Sequence, residues 1–183
     1  MKKWKLVLTQ GVVSGSLASV LSTAWLALVG RRQAGSAAAP LNAVSHWCWG
    51  DEALHRQQPD LRHTGVGYLT HHTSATFWAT VYAALAASQP SLRTREGLVL
   101  GAVATSGLAY FVDFKLTPHR FRPGFEHRIS SGALTAAYAA LAVGMAAGAL
   151  ALRDRYEEDE AARLDPDEEP QPRIVRRVRA GHA

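Results

Sequence analysis

Apolar residues in this chain are gathered into four long segments, and most of the charged residues lie between or after them. The segments cover about residues 6–30, 67–88, 97–116 and 129–152. A helix of roughly 20 mostly apolar residues is long enough to cross the hydrocarbon core of a bilayer, and each segment reaches that length. The pattern therefore predicts an all-α polytopic membrane protein, with four transmembrane helices in a compact bundle and both termini on the same side.

A cleaved signal peptide is the alternative interpretation of the first segment. The chain begins with the basic sequence MKKWK and contains the small residues Ala37, Ala38 and Ala39. The apolar core of a signal peptide is about 7 to 15 residues long. The first segment is longer than that, and Arg31 and Arg32 separate it from the alanines. We therefore expect a retained span, with the two arginines acting as membrane anchors.

Small residues recur every four positions in three of the segments, a spacing that brings them to one face of a helix. Such residues let helices approach closely in a membrane, where burying leucine against leucine gains little. This predicts tight packing within the bundle, although a homo-oligomer interface would carry the same stripes. The stripes are Gly11-xxx-Gly15-xxx-Ser19, Gly97-xxx-Gly101-xxx-Thr105 and Ala140-xxx-Gly144-xxx-Gly148.

The composition changes beyond the fourth segment. The 183-residue chain is only 48% hydrophobic, because residues 153–183 are acidic and proline-containing at first and basic at the end. Such a tail has too little apolar surface to offset the entropy lost on ordering it. We therefore predict a disordered charged tail over residues 153–183, following a transmembrane domain of residues 1–152.

The net charge of +5 would suit a nucleic-acid partner, but the basic residues before the tail lie near the ends of the apolar segments. Lysine and arginine in such positions bind anionic headgroups, so we expect the lipid bilayer as partner and no nucleic acid. Trp47 and Trp49 are predicted to anchor the first loop at the same surface. The short basic leader with Lys2, Lys3 and Lys5 favours cytoplasmic termini in a multi-pass protein of the bacterial inner membrane.

Seven of the eight histidines lie in two loops, residues 31–66 and 112–130, or at the start of the second segment. With four spans these loops face the same compartment, so we predict a His- and Arg-rich polar site where they meet the second segment. Ionisable residues at membrane depth are costly and indicate function by default. The candidate ligand-binding residues are His63, Tyr68, His71, His72, Asp113, His119, Arg120, Arg122 and Glu126.

Several interpretations of this site stay open. Guanidinium groups match phosphate and carboxylate geometry, so Arg120 and Arg122 favour an anion or a lipid headgroup as ligand. Imidazole titrates near neutral pH, which favours a site that responds to pH. A structural role, in which the histidines satisfy loop carbonyls, is the third interpretation. The small-residue stripes and the charged tail would also suit a membrane scaffold or assembly factor.

A metal- or haem-dependent membrane oxidoreductase is the enzymatic alternative, because imidazole is a common ligand. Its ligands would come from His71, His72 and His119. The sequence lacks the HxxxH spacing of diiron membrane enzymes, and it lacks the Walker, dinucleotide-binding, HExxH and GxSxG motifs. The single cysteine, Cys48, excludes an intrachain disulfide and a cysteine-based zinc site. A non-enzymatic membrane protein is therefore the leading prediction.

Three stretches of the chain are distinctive: GSAAAPLNAVSHWCWGDEA, HTGVGYLTHHTSATFWA and VDFKLTPHRFRPGFEHRIS. Through them the chain resembles a group of small proteobacterial inner-membrane proteins, over roughly residues 5–152. The resemblance implies four spans in an inner membrane and implies no particular activity, cofactor or catalytic residue. In its layout of a first span, a long loop and a histidine-bearing second span, the chain is also similar to inner-membrane proteins implicated in acid resistance, which implies a link to pH.

Overall fold

The computed structural model describes residues 3–153, 155 and 157, and within these residues the chain is helical and contains no β-strand. Two π-helical turns extend long helices, Leu61–Gly65 before the second long helix and Val112–Leu116 after the third. The α-helices are α1 (Lys3–Gln33), α2 (Ala39–Val44), α3 (His46–Trp49), α4 (Glu52–His55), α5 (Val66–Ser88), α6 (Arg95–Phe111) and α7 (Ser131–Ala151). The prediction of an all-α fold is confirmed.

Three helical stretches of the described chain are long and apolar enough to cross a membrane: Trp4–Gln33, Arg95–Leu116 and Ser131–Ala151. They coincide with the first, third and fourth predicted spans. Helix α5 has 23 residues, which is sufficient length, but polar residues such as His71 and His72 keep its hydropathy below that of the other three. The predicted disordered tail lies almost wholly outside the described residues.

The four long helices form a bundle in which α1 and α6 each pack against both α5 and α7. The direction of α1 relative to its neighbours follows from its contacts. Gly11 lies against Thr80 and Gly15 against Thr76, so α1 and α5 run antiparallel. The same reversal holds on α7, where Gly148 lies against Ser14 on α1. The bundle is therefore up-down-up-down, with one short connection, residues 89–94, at one end and the two long loops at the other.

The glycines of α1 and α7 account for the close approach of these helices. A Cβ atom built on Gly15 would lie 2.5 Å from the Cα of Thr76, and one on Gly148 would lie 2.5 Å from the Cα of Ser14. Real Cβ atoms do not approach backbone so closely, so each glycine is required at its position. The small-residue stripes predicted on the first and fourth spans thus serve contacts inside this chain.

The two long loops pack against each other at one end of the bundle. Trp47 Nε1 donates a hydrogen bond to the carbonyl oxygen of Arg122 at 2.8 Å, and Arg128 Nη1 donates to the carbonyl oxygen of Leu54 at 3.2 Å. Gly124 adopts a positive φ of 93° beside the Ala43 carbonyl, a conformation that L side chains rarely adopt. We call residues 34–65 and 112–130 together the loop cap.

Candidate functional site

A cavity lies beneath the loop cap, between it and the interior of the bundle. Its volume is about 60 Å³. A single water needs about 10–15 Å³, so the cavity is large enough for a small ligand or for water. The cap contributes Val44, Trp47, Asp113, Pro123 and Phe125. The side chains from the long helices include Ser22, Leu26, Thr70, His71, Ser74, Trp78 and Tyr138.

His71 reaches this cavity from the second turn of α5 and contacts α1. Its Nε2 lies 2.9 Å from Ser22 Oγ, and its ring lies edge-on to Phe125 with 6.3 Å between ring centroids. The Ser22 hydroxyl also donates to the Ala18 carbonyl oxygen at 2.7 Å. A carbonyl oxygen only accepts, so that bond uses the hydroxyl hydrogen and Ser22 Oγ accepts from the Nε2–H of His71. The other ring nitrogen, Nδ1, is then the one left to gain or lose a proton.

Asp113 lines the cavity from the π-helical turn that follows α6. Its Oδ2 accepts a hydrogen bond of 2.5 Å from the hydroxyl of Tyr138 on α7. The Tyr138 ring is held by edge-on contacts with Tyr110 at 5.2 Å and Phe114 at 6.2 Å. Single π-helical turns occur often at functional sites because they turn a side chain out of the regular helical register. Here that turn carries Asp113, the one carboxylate among the described residues that line the cavity.

The net charge of the cavity depends on the protonation of its ionisable side chains. Among the described residues, its lining contains one carboxylate, Asp113, and one imidazole, His71, but no lysine or arginine. A second carboxylate, Glu126 of the loop cap, lies within electrostatic reach of Asp113 and Tyr138. Both Glu126 oxygens are buried and have no hydrogen-bond partner in the described chain. The described residues of the lining therefore offer no lysine or arginine to pair with the carboxylates of Asp113 and Glu126.

His63 was predicted as a ligand-binding residue, but its side chain bonds to Asp60 within the loop cap. It is 3% exposed, and its Nδ1 lies 2.9 Å from Asp60 Oδ2. Asp60 also caps the π-helical turn before α5 by accepting from the backbone N–H of His63 at 2.6 Å. This backbone bond is the main cause of a lowered pKa of Asp60; burial opposes it as the next largest effect, and the His63 side chain and Arg56 lower the pKa further. The carboxylate thus stays ionised at neutral pH and ties the loop to α5.

Tyr68 and His72 form a stacked pair one turn apart on α5. Their ring centroids are 5.8 Å apart and the rings are inclined by 29°. The Nδ1 of His72 is buried and has no hydrogen-bond partner in the described chain. Neither residue lines the cavity, so the adjacent histidines His71 and His72 have different surroundings.

The remaining candidates lie in the cap, outside the cavity. His119 is exposed and meets His127 at a centroid distance of 5.9 Å. Arg120 is exposed, and its Nη1 is 3.5 Å from the carbonyl oxygen of His46. Arg122 supplies the carbonyl that accepts from Trp47, while its buried Nε has no partner in the described chain.

The predicted anchors expose their side chains. Trp47 and Trp49 are 37% and 38% exposed, and their indole N–H groups are satisfied by loop carbonyls. Arg31 and Arg32 are exposed in the last turn of α1, which continues through them to Gln33 instead of ending before them. The geometry suits anchoring, with apolar ring surface free and the polar N–H already bonded.

No protein-family model, curated protein or solved structure matches this chain.

The proposed metal ligands do not form a cluster in the described part of the chain. No group of three or more His, Cys, Asp or Glu side chains there is arranged to hold a metal ion. His71 contacts Ser22 and Phe125, His72 stacks on Tyr68, and His119 lies at the exposed surface of the cap beside His127.

Sequence reasoning brought His71 and Asp113 into the candidate set but missed Ser22, Tyr138 and Asp60. A serine in an alanine-rich span and a tyrosine in an apolar helix carry no local signal. Asp60 did carry one, because an aspartate just before a helix is a typical N-cap and its side chain bonds the residue three positions on.

Proposed function

We propose that this chain is a multi-pass protein of a bacterial inner membrane, with four spans and cytoplasmic termini, whose loop-capped cavity takes up and releases protons at His71 and Asp113. Its activity is then a response to pH, transmitted through the contacts that these two residues make with α1 and α7. The single observation that carries the proposal is that an imidazole and a carboxylate line one cavity that has no lysine or arginine.

The fourth span in this proposal is α5. Its length is sufficient for a crossing, and its polar residues have neighbours within the bundle: His71 bonds to Ser22, and Thr76 and Thr80 lie against the glycines of α1. A polar helix is tolerated in a bilayer when its polar groups face the bundle interior. The large exposed side chains of α5 include Leu69, Phe77 and Leu85, which suit contact with lipid.

A proton-linked role is favoured over an anion site in the cavity. The lining carries a carboxylate, Glu126 adds a second carboxylate nearby, and Arg120 and Arg122 do not line it. An anion in this place would be repelled. Arg120, exposed at the surface of the cap, suits contact with anionic headgroups instead.

Tryptophan emission provides the test, since Trp47 and Trp78 line the cavity and respond to charge beside them. Detergent-purified protein would be titrated from about pH 8 to about pH 3, a range that includes the ordinary pKa values of both histidine and aspartate. We expect a transition in the wild type that moves or disappears in His71→Gln and in Asp113→Asn. The matched control is His119→Gln, which removes an exposed histidine of the same cap.

The same transition in all four proteins would contradict the proposal, and so would a transition removed by His119→Gln alone. Circular dichroism of each variant at neutral pH separates loss of the transition from loss of the fold.

A further inference from the structure

We infer that the loop-capped cavity binds a small organic ammonium cation, held by the Asp113 carboxylate and the aromatic rings around it. This inference rests on the proposed function in so far as it uses the same cavity, and it adds a ligand class to the proton-linked role.

The first argument concerns the unpaired side of Asp113. The Tyr138 hydroxyl occupies Oδ2, whereas Oδ1 makes no hydrogen bond within the described residues. Asp113 is partly buried, and a carboxylate partly removed from water is stabilised by a counter-charge or by further hydrogen bonds. The lining offers no lysine or arginine, and His71 uses its Nε2–H on Ser22. A cationic ligand supplies the missing charge.

The second argument concerns the walls. Trp47, Trp78, Phe125 and Tyr138 all line the cavity, so most of its surface near Asp113 is aromatic or aliphatic. Aromatic faces attract cations and recognise alkylated ammonium groups in particular. A hard metal ion would need six or more oxygen ligands or retained water, and the wall supplies only one carboxylate and a few hydroxyls. The combination of one acid with apolar rings therefore selects an organic cation.

The third argument is size. The cavity volume is about 60 Å³, which is more than the roughly 10–15 Å³ that a single water needs. The ligand must therefore be a small cation and not an extended one. Tetramethylammonium is thus a suitable probe, and tert-butanol is a neutral molecule of similar size and shape.

Protons compete with such a cation. The ionisable groups that face Asp113 are His71 from α5, Tyr138 from α7 and Glu126 from the loop cap, while His72 is the next residue to His71 on α5. A proton on Asp113 removes the attraction, and a proton on His71 places a second positive charge in the cavity. Glu126 adds negative charge and strengthens binding. Affinity for the cation should therefore fall as the pH falls.

The experiment is a titration of the full-length, detergent-purified protein with tetramethylammonium, read by tryptophan emission and by calorimetry at about pH 8 and about pH 5.5. We expect saturable binding at the higher pH with a dissociation constant on the order of 1 mM. Asp113→Asn, which keeps an acceptor for Tyr138, should weaken binding about tenfold or more, and so should the lower pH. Asp51→Asn, in the exposed part of the cap, should leave the affinity unchanged.

Equal affinity for tert-butanol and tetramethylammonium would overturn the inference, as would unchanged affinity in a folded Asp113→Asn. Trp78→Phe, which keeps an aromatic ring, should bind within about threefold of wild type, whereas Trp78→Leu should lose about tenfold or more. Equal binding by these two variants would also contradict the inference.

The two proposals can fail separately. A pH transition without saturable binding of tetramethylammonium overturns the cation site and leaves the proton-linked function in place. Binding that depends on Asp113 without any pH transition overturns the proton-linked function and leaves the cation site in place.

Discussion

Ser22 of α1 and His71 of α5 are joined by a hydrogen bond of 2.9 Å across 49 positions of the chain. Ser22 is 1% exposed and lies on a helix that also contacts α5 at Gly11 and Gly15. The bond therefore fixes the ring that lines the cavity to the first helix of the bundle, and it makes α1 sensitive to the state of that ring.

Replacing Ser22 with alanine should leave the Nε2–H of His71 without its partner. A lost hydrogen bond between buried groups costs about 1 kcal/mol. The free energy of unfolding, measured by titrating the micellar protein with denaturing detergent, should fall by that amount. Ser16→Ala, on the same helix, is the control, and an equal effect of both changes would show that the bond to His71 contributes nothing.

Two glycine-to-alanine changes should have different effects on the free energy of unfolding. Gly148→Ala places a Cβ 2.5 Å from the Cα of Ser14, so α1 and α7 must move apart, at a cost of about 1–3 kcal/mol. Gly107→Ala meets no atom within 4 Å and should be neutral or stabilising by about 0.5–1 kcal/mol. Unfolding in denaturing detergent would measure both. Equal stabilities would mean that the α1–α7 contact is looser than described.

Cys48 gives a direct test of orientation. It is the single cysteine of the chain and lies exposed in the loop cap. With cytoplasmic termini, a membrane-impermeant maleimide should label it in intact spheroplasts as fully as in lysed membranes. Cys48→Ser provides the background. Labelling only after lysis would reverse the orientation and place the loop cap in the cytoplasm.

The pairing of Asp60 with His63 predicts a loss of stability in acid. Hydrogen bonds from His63 lower the pKa of Asp60 below its ordinary value of 3.8. A lowered folded pKa contributes stability that is complete above 3.8 and is lost as the pH falls through the folded value. The stability difference between wild type and Asp60→Asn should therefore be constant from about pH 5 upward and should shrink below 3.8. Thermal melts would show this, and Asp51→Asn should show no such trend.

The long helices could be predicted from the sequence because each apolar segment is continuous and its ends carry charges or turn residues. The second segment, predicted at 67–88, is α5 at Val66–Ser88, and the third, predicted at 97–116, is α6 together with its π-helical turn. The register between helices could not be predicted in this way. It depends on contacts such as those of Gly11 with Thr80 and Gly15 with Thr76. These contacts are determined by the packing of the whole bundle.

The candidate site could be predicted only in part for the same reason. His71 and Asp113 attract notice because ionisable residues are rare in apolar segments. Their partners Ser22 and Tyr138 are ordinary residues whose role depends on the register of α1 against α5 and of α6 against α7. Arg120 and Arg122, in residues 112–130, suggested anion binding. The side chain of Arg120 and the carbonyl oxygen of Arg122 bond to the first loop, and neither residue lines the cavity.

The modest hydropathy of α5 bears on the order in which the chain would be assembled in a bilayer. A helix with two histidines and several hydroxyl groups gains little from lipid alone, so its insertion depends on a partner that is already in place. Helix α1 precedes it in synthesis and offers Gly11, Gly15 and Ser22 along the face that α5 contacts. The N-terminal helix would then act as an intramolecular chaperone, and changes on that face should lower the yield of inserted protein before they alter the finished site.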